Sequence, residues 1–344
     1  MHLAQGMLAR GHAVDLVVLK GGGVLEQLLP PSVRLIDLGS PRLRSSLLPL
    51  IRYLRRERPA ALLAFMWPLT VIAVLARMLA RSPARLILAD HCALSQQYAP
   101  ALHKRIRSSV RTFYPRADAR VLVSDGAADD LARLSGLDRS SLDVIFNPVP
   151  PPGPIDQAVL HSAKALWPAS GRRILNVGSL KSQKNQALLL RAFASLAEQE
   201  EVQLLILGEG QERQALTALA NELGVASRVS FPGFRTESAS VYEAADMFVL
   251  SSDYEGLPMV LVEALHAGLP IVSTDCPSGP YEILGGGRFG TLVPMGDAQG
   301  LAQGMQAMLA RPADPARQKA RAADFSSDKA VDAYLRLLLG PPGG

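Results

Sequence analysis

The hydrophobic pattern divides this chain into two halves. From Arg172 onward, short apolar runs alternate with amphipathic stretches, predicting strands at 173–177, 203–207, 228–231, 246–250, 270–273 and 290–293 with helices between them. Apolar runs without alternation suit strands buried on both faces, so the pattern predicts a parallel sheet covered by helices. The first half is less regular. A helix is predicted over 2–10, with Leu3, Met7 and Leu8 on one side, and Gly11-His12 stops it before a strand over 13–19. Further strands are predicted at 33–38, 61–65, 85–89, 120–124 and 142–146, and helices at 43–58, 69–80, 101–116, from Asp125, and at 324–339. A doubly wound domain ordinarily begins with a strand that lies in mid-sheet. Here the chain enters on a helix, so the first domain is predicted to be N-terminally incomplete.

Proline marks the boundary. Asn147-Pro148-Val149-Pro150-Pro151-Pro152-Gly153-Pro154 cannot continue a central strand or a helix. The expected division is a first domain over 1–150, a linker over 151–171 and a second domain over 172–325. Residues 60–76 are apolar over a length at the lower bound for a membrane span, but Pro68 and Thr70 interrupt them. A buried strand followed by a helix fits the same residues.

Charge separates the halves as well. The net charge of +5 is the balance of +9 over residues 1–150 and −4 over the remainder. A basic half suits anionic lipid, nucleic acid or a plain solvated surface. No aromatic residues are interleaved with the basic ones as in a nucleic-acid reading module, so nucleic acid is set aside. An anionic membrane surface is the expected partner of helices 43–58 (Arg44, Arg52, Arg55, Arg56 and Arg58, with Leu47, Leu48, Ile51 and Leu54 as the apolar side) and 101–116 (Lys104, Arg105, Arg107, Arg111 and Arg116). An ordinary arginine-rich surface is the alternative. Cys92 and Cys276 match no metal spacing, and their scarcity fits a reducing compartment. No apolar leader is visible around His2, Gln5 and Arg10. The expected location is cytoplasmic, peripheral on the inner face of the plasma membrane.

Candidate chemistry concentrates after the strand at 246–250. There Ser251-Ser252-Asp253-Tyr254-Glu255-Gly256-Leu257-Pro258 leads into a helix that runs to Gly268. Ligands of open α/β sheets bind at this carboxyl edge. Glu255 in the turn and Glu263 on the helix are placed to grip two parts of one elongated ligand; the bland alternative is a turn carboxylate and a solvated helix glutamate. The amides from Gly256 through Leu257, Pro258 and Met259 to Val260 surround a helix N-terminus, which suits phosphate. Asp253-x-Glu255 also reads as a metal pair, although two acids are a thin basis for a site. In the first turn of the second domain, Gly178 lets backbone approach a ligand and Lys184 brings a point charge to the next helix, again phosphate chemistry. His91, at the carboxyl end of the strand 85–89, is placed to orient a hydroxyl or phosphate, or is a satisfied loop histidine. Gly21-Gly22-Gly23 lacks the pattern of a phosphate loop and reads as a turn. Gly208-Glu209 and Gly233-Phe234 read, on their own, as βα turns.

Glu255-x7-Glu263, within Ser-Ser-Asp-Tyr-Glu-Gly-Leu-Pro, resembles the donor-site signature of retaining glycosyltransferases of family 4 (group 1) in the GT-B superfamily. The resemblance extends over almost the whole chain: helix and Gly-His before a strand, Ile145-Phe146-Asn147-Pro148-Val149 at the hinge, Gln183-Lys184, and Ser278-Gly279-Pro280-Tyr281-Glu282. It implies two Rossmann-like domains facing across a cleft, with helix 326–340 crossing back to the first. It also implies a nucleotide-diphosphate sugar, UDP-sugar favoured, as co-substrate, and a glycan or lipid-linked acceptor on the first domain. By resemblance Lys184 holds the diphosphate together with the amides near Met259 and Val260. Glu263 binds ribose, Glu255 positions the sugar hydroxyls, and His91 lies near the sugar. Gly208, Glu209, Gly233 and Phe234 line the ribose and base. Ser179 stands where an arginine is usual, with Lys181 as a candidate substitute. There is no Asp-x-Asp motif, so neither a metal nor a cofactor is expected. A nucleotide-sugar epimerase or phosphorylase on the same fold, or an inactive donor-binding module, are the alternatives.

Overall fold

The computed structural model describes every residue except 23–25, 27–28, 169, 237, 311–313 and 341–344. It forms two compact units, Met1–Pro148 with Ser326–Gly344, and Val149–Phe325.

The first unit contains strands β1 (Asp15–Val18), β2 (Arg34–Asp37), β3 (Ala61–Phe65), β4 (Arg85–Asp90), β5 (Ala119–Leu122) and β6 (Asp143–Val144). All pairings are parallel, but they fall into two sheets, β1–β2 and β3–β4–β5–β6. The buried strand β4 shows why helices cover both faces. Leu86 and Leu88 enter one core with Val74, Ile106, Val110 and Leu131, while Ile87 and Ala89 enter the other with Val121, Val331 and Tyr334. The second of these cores is closed by helices His2–Ala9 and Ser327–Leu339. Gly6 allows their close approach, since a Cβ there would lie 2.4 Å from Val331 Cγ2. The outer strands differ from β4: every residue of β1 and β3 is only half-buried.

Several predicted boundaries shift for local reasons. The helix expected over 101–116 ends as an α-helix at Phe113, and Tyr114–Arg116 tightens to a 3₁₀ turn. Pro115 has no N–H for the α ladder and its ring crowds the preceding turn. The strand expected over 142–146 is reduced to Asp143–Val144, an edge strand that leads at once into Asn147-Pro148. Leu48, assigned to the apolar side of its helix, is 63% exposed; Leu50, Ile51, Tyr53 and Leu54 form the buried side instead. The apolar stretch 60–76 is β3 followed by helix Leu69–Ala80, and among the described residues no helix is long and apolar enough to cross a membrane. Gly22 turns with φ +96° and donates to Glu26 Oε1; Gly23 lies outside the described residues.

The second unit holds β7 (Arg172–Val177), β8 (Val202–Leu207), β9 (Val229–Gly233), β10 (Met247–Leu250), β11 (Ile271–Thr274) and β12 (Thr291–Val293). They form one parallel sheet in the order β12-β11-β10-β7-β8-β9. The strand order reverses between β7 and β10, which makes their carboxyl ends the switch-point crevice of this sheet. Residues 151–171 are not a bare linker. Asp156 caps a helix over Gln157–Lys164 by accepting from Ala158 N, that helix packs on helix Ser238–Ala244, and Trp167 is buried with Arg173 against its ring. These residues therefore add a layer to the second unit, which begins at Val149, whose N–H donates to Phe325 O.

Candidate active site

The switch point brings together the two motifs read from the sequence, one after β7 and the other after β10. The loop after β10 folds back on the loop after β7 through four hydrogen bonds. Asp253 N donates to Gln183 O, Gln183 Nε2 to Tyr254 O, Asn185 Nδ2 to Asp253 Oδ1, and Ser251 Oγ to Lys184 O. At their centre the Lys184 ammonium lies 2.6 Å from Glu255 Oε1, and Ser252 Oγ donates to the same oxygen at 2.7 Å. The two side chains are 18% and 7% exposed, so the pair is largely shielded from water. The backbone of Glu255 is fixed from the loop after β11, where Ser278 Oγ donates to Glu255 O at 2.6 Å. Glu255 and Lys184 thus form one charge-assisted unit rather than two separate groups. Asp253 and Glu255, read from the sequence as a metal pair, each commit one carboxylate oxygen to protein partners, Asp253 Oδ1 to Asn185 and Glu255 Oε1 to Lys184 and Ser252. No group of three or more His, Cys, Asp or Glu is placed to hold a metal ion among the described residues.

Beside this pair a helix begins. Pro258 occupies the N-cap position rather than the first turn, and no side chain caps helix Met259–Ala267. The amides of Met259 and Val260 are among the first-turn donors that a helix cannot satisfy internally, and they lie where an anion gains from the helix dipole. Gly256 is half-buried and Leu257 buried in the turn ahead of it, while Met259 is 44% exposed. Glu263, on the same helix, is half-buried. Burial pushes its carboxyl above the usual carboxylate range, and Tyr242 pulls it partly back. The fully buried Tyr242 hydroxyl approaches Glu263 without closing a well-formed hydrogen bond.

Glycines close the crevice floor. Gly208 holds φ +147° and a Cβ there would lie 2.0 Å from Gly178 O, so backbone alone fits between the β7 and β8 loops. Gly208 N donates to Gly233 O, linking the β8 and β9 loops. Ser179 offers its carbonyl to Gln186 Nε2, and Lys181 lies exposed at the rim. Glu209 is engaged by Arg213 at 2.8 Å on the surface, and Phe234 is 73% exposed. In the first unit His91 directly follows β4, with its ring 5.2 Å from that of Phe65. Burial lowers its pKa, Asn147 offsets this in part, and Nε2 is buried without a partner.

Comparison with known proteins gives the family and the fold. The model of glycosyl transferases group 1 matches residues 160–325, and that of glycosyltransferase family 4 matches residues 1–151. A Campylobacter jejuni N-acetylgalactosamine-N,N'-diacetylbacillosaminyl-diphospho-undecaprenol 4-alpha-N-acetylgalactosaminyltransferase is 31% identical over 278 residues, 78% of this chain and 73% of that protein. The chain belongs to the group 1 glycosyltransferases. Rhizobium meliloti lipopolysaccharide core biosynthesis glycosyltransferase LpsE is 35% identical over 185 residues, 52% of this chain and 53% of that protein. In fold, this glycosyltransferase matches a glycosyltransferase of Rickettsia africae with a TM-score of 0.84 at 15% identity, covering 99% of this chain and 94% of that one. It also matches Anabaena HepE in complex with UDP and glucose with a TM-score of 0.81 at 19% identity, covering 98% and 95%. The two-domain GT-B architecture expected from the motifs is therefore that of the glycosyltransferase.

Sequence reasoning singled out Lys184, Glu255 and Glu263 but missed the groups that fix them. Ser252, Ser278, Asn185 and Gln183 are small or amide residues in loops, with no spacing signal of their own; their partners lie up to 71 residues away. The Ser-Ser doublet after a buried strand was the one available hint. Asp90, which carries no spacing signal in the sequence, is 2% exposed and accepts from both Trp67 N and Tyr114 Oη.

Proposed function

We propose that this glycosyltransferase moves a sugar from a nucleotide-diphosphate sugar, UDP-sugar favoured, to a lipid-linked or lipopolysaccharide glycan, with retention of anomeric configuration. The observation that carries the reading is the Lys184–Glu255 pair at the switch point beside the uncapped N-terminus of helix Met259–Ala267. A departing nucleoside diphosphate needs fixed positive charge, and the ammonium with the amides of Met259 and Val260 supplies it without reorganisation. Glu255, held by Lys184 and Ser252 through Oε1, directs its other oxygen to the hydroxyls of the sugar. Glu263 accepts from ribose hydroxyls, and the Gly208-Glu209 and Gly233-Phe234 turns line ribose and base. The leaving group's charge is met by these groups, so the reaction is read as independent of metal and of any cofactor.

The choice of donor and acceptor is supported by the relatives. The Campylobacter enzyme's name specifies a diphospho-undecaprenol-linked acceptor, LpsE acts in lipopolysaccharide core biosynthesis, and HepE holds UDP and glucose. The exposed arginines of helices Leu47–Glu57 and Pro100–Phe113 support docking on an anionic membrane where such acceptors reside. The test is a UDP-sugar panel with EDTA present, offered lipopolysaccharide core oligosaccharides and polyprenyl-diphosphate-linked glycans, with nucleotide release and product mass measured together. Acceptor-dependent UDP release with one added sugar is expected. Interconversion of donors without an acceptor would make the protein an epimerase and overturn the reading.

A further inference from the structure

We propose that Met66 is an acceptor-contacting residue, an apolar platform for the C–H face of an acceptor sugar, held in place by the buried carboxylate of Asp90. This rests on the assignment of the first unit to the acceptor. Met66 follows β3 at the carboxyl edge of its sheet, the edge at which open α/β sheets carry ligands. Its side chain is 47% exposed and its backbone is left-handed, with φ +66°. Both features are unfavourable for stability. A non-glycine residue with a flexible chain gains nothing from the left-handed region, and an exposed methionine leaves apolar surface in water.

The surroundings over-determine this conformation. Met66 N donates to Ala89 O at 2.8 Å, Trp67 N donates to Asp90 Oδ1 at 2.7 Å, and Tyr98 Oη donates to Trp67 O at 2.8 Å. Trp67 Nε1 donates to Ser109 Oγ at 3.0 Å, and the Trp67 ring meets Tyr98 edge-on at 5.0 Å. Asp90 takes a second hydrogen bond from Tyr114 Oη at 2.6 Å, and that hydroxyl lies 2.9 Å from Thr70 Oγ1. A carboxylate 2% exposed has therefore been placed in the core to hold a single turn. Strain kept by so many contacts marks a place where conformation serves something other than stability. What the turn presents is the methionine itself. At the end of the neighbouring strand the His91 ring lies 5.2 Å from that of Phe65 with its Nε2 buried, so Met66 is the side chain this edge exposes. A sugar ring presents C–H groups on one face, which an exposed thioether chain covers while the hydroxyls at its rim stay in water. The adaptable thioether suits a ring whose substituents vary.

The experiment uses Met66→Gly and Met66→Lys in the full chain. Glycine relieves the left-handed backbone and lysine keeps the length while removing the apolar surface. With lipopolysaccharide core oligosaccharides and polyprenyl-diphosphate-linked glycans as probes, both variants should raise the acceptor KM about tenfold, the scale of one lost apolar contact. UDP affinity by calorimetry should stay unchanged, and the melting temperature of Met66→Gly should not fall. Asp90→Ala should raise the acceptor KM as well, while Asp90→Asn, which still accepts from Trp67 N, should restore it. The protein has two tryptophans, Trp67 and Trp167. In a Trp167→Phe background, Trp67 fluorescence therefore reads acceptor binding directly, independent of transfer. Acceptor KM and Trp67 response equal to those of the unaltered residue in both Met66 variants would overturn the assignment. Failure of the wild-type protein to bind UDP would instead sink the underlying glycosyltransfer reading, with the Trp67 response still reporting on the platform.

Discussion

The sharpest prediction concerns the Lys184–Glu255 pair, because its structural and chemical roles separate in a double-mutant cycle. At 2.6 Å, with side chains 18% and 7% exposed, removal of either partner leaves the other as a poorly solvated charge. For buried pairs that costs about 3–5 kcal/mol, and the partial exposure of Lys184 puts this case near the lower end. Lys184→Met and Glu255→Gln alone should each destabilise the second unit by about 3 kcal/mol. Together they remove both charges, and the amide of Glu255→Gln still accepts from Ser252 Oγ, so most of the loss should be recovered. Turnover should not follow stability. The double variant has no ammonium for the departing diphosphate and should remain slower by roughly two orders of magnitude, as for loss of an oxyanion donor. Urea unfolding followed by the fluorescence of Trp167, buried in this unit, measures the first quantity; UDP release in the presence of acceptor measures the second. A stable double variant with a near-native transfer rate would refute the role of Lys184. Singles with unaltered stability would show that the pair is not shielded in solution.

Glu263→Ala should weaken UDP binding by about 1.5–3 kcal/mol through loss of charge-assisted hydrogen bonds, read by calorimetry. Burial raises the Glu263 pKa and ribose favours the charged form, so affinity should fall as pH drops through that raised value, with proton release on binding visible in buffers of different ionisation enthalpy. Flotation with anionic liposomes should fall steeply as salt rises and the Debye length shrinks to about 8 Å; equal binding to neutral vesicles would argue for apolar insertion instead. In hydrogen exchange, β7, β8 and β10 should be strongly protected, and the half-buried β1 and β3 much less so. Uniform protection of the two units would refute that difference.

Much of this molecule is legible in its sequence because its elements are locally specified. Parallel strands buried on both faces must be short apolar runs, and helices that cover them must be amphipathic, so β7 to β12 were placed to within a residue or two. A loop that takes a ligand at a switch point keeps its charged residues near strand ends, which marked Lys184, Glu255 and Glu263. Local chemistry also misled where a neighbour decided. The stretch 151–171 has the proline content of a linker, yet its helix finds a partner in Ser238–Ala244 and becomes part of the second unit. Leu48 has the spacing of a core residue and lies in water. Only the tertiary structure joined Lys184 to Glu255, raised Glu263 by burial, and set the buried Asp90 against Trp67 N and Tyr114 Oη. Pairing between residues distant in sequence, and the loss of water around a charge, are set by how elements pack in space. Periodicity along the chain specifies the face each element buries, but not which polar group meets which once the faces have closed.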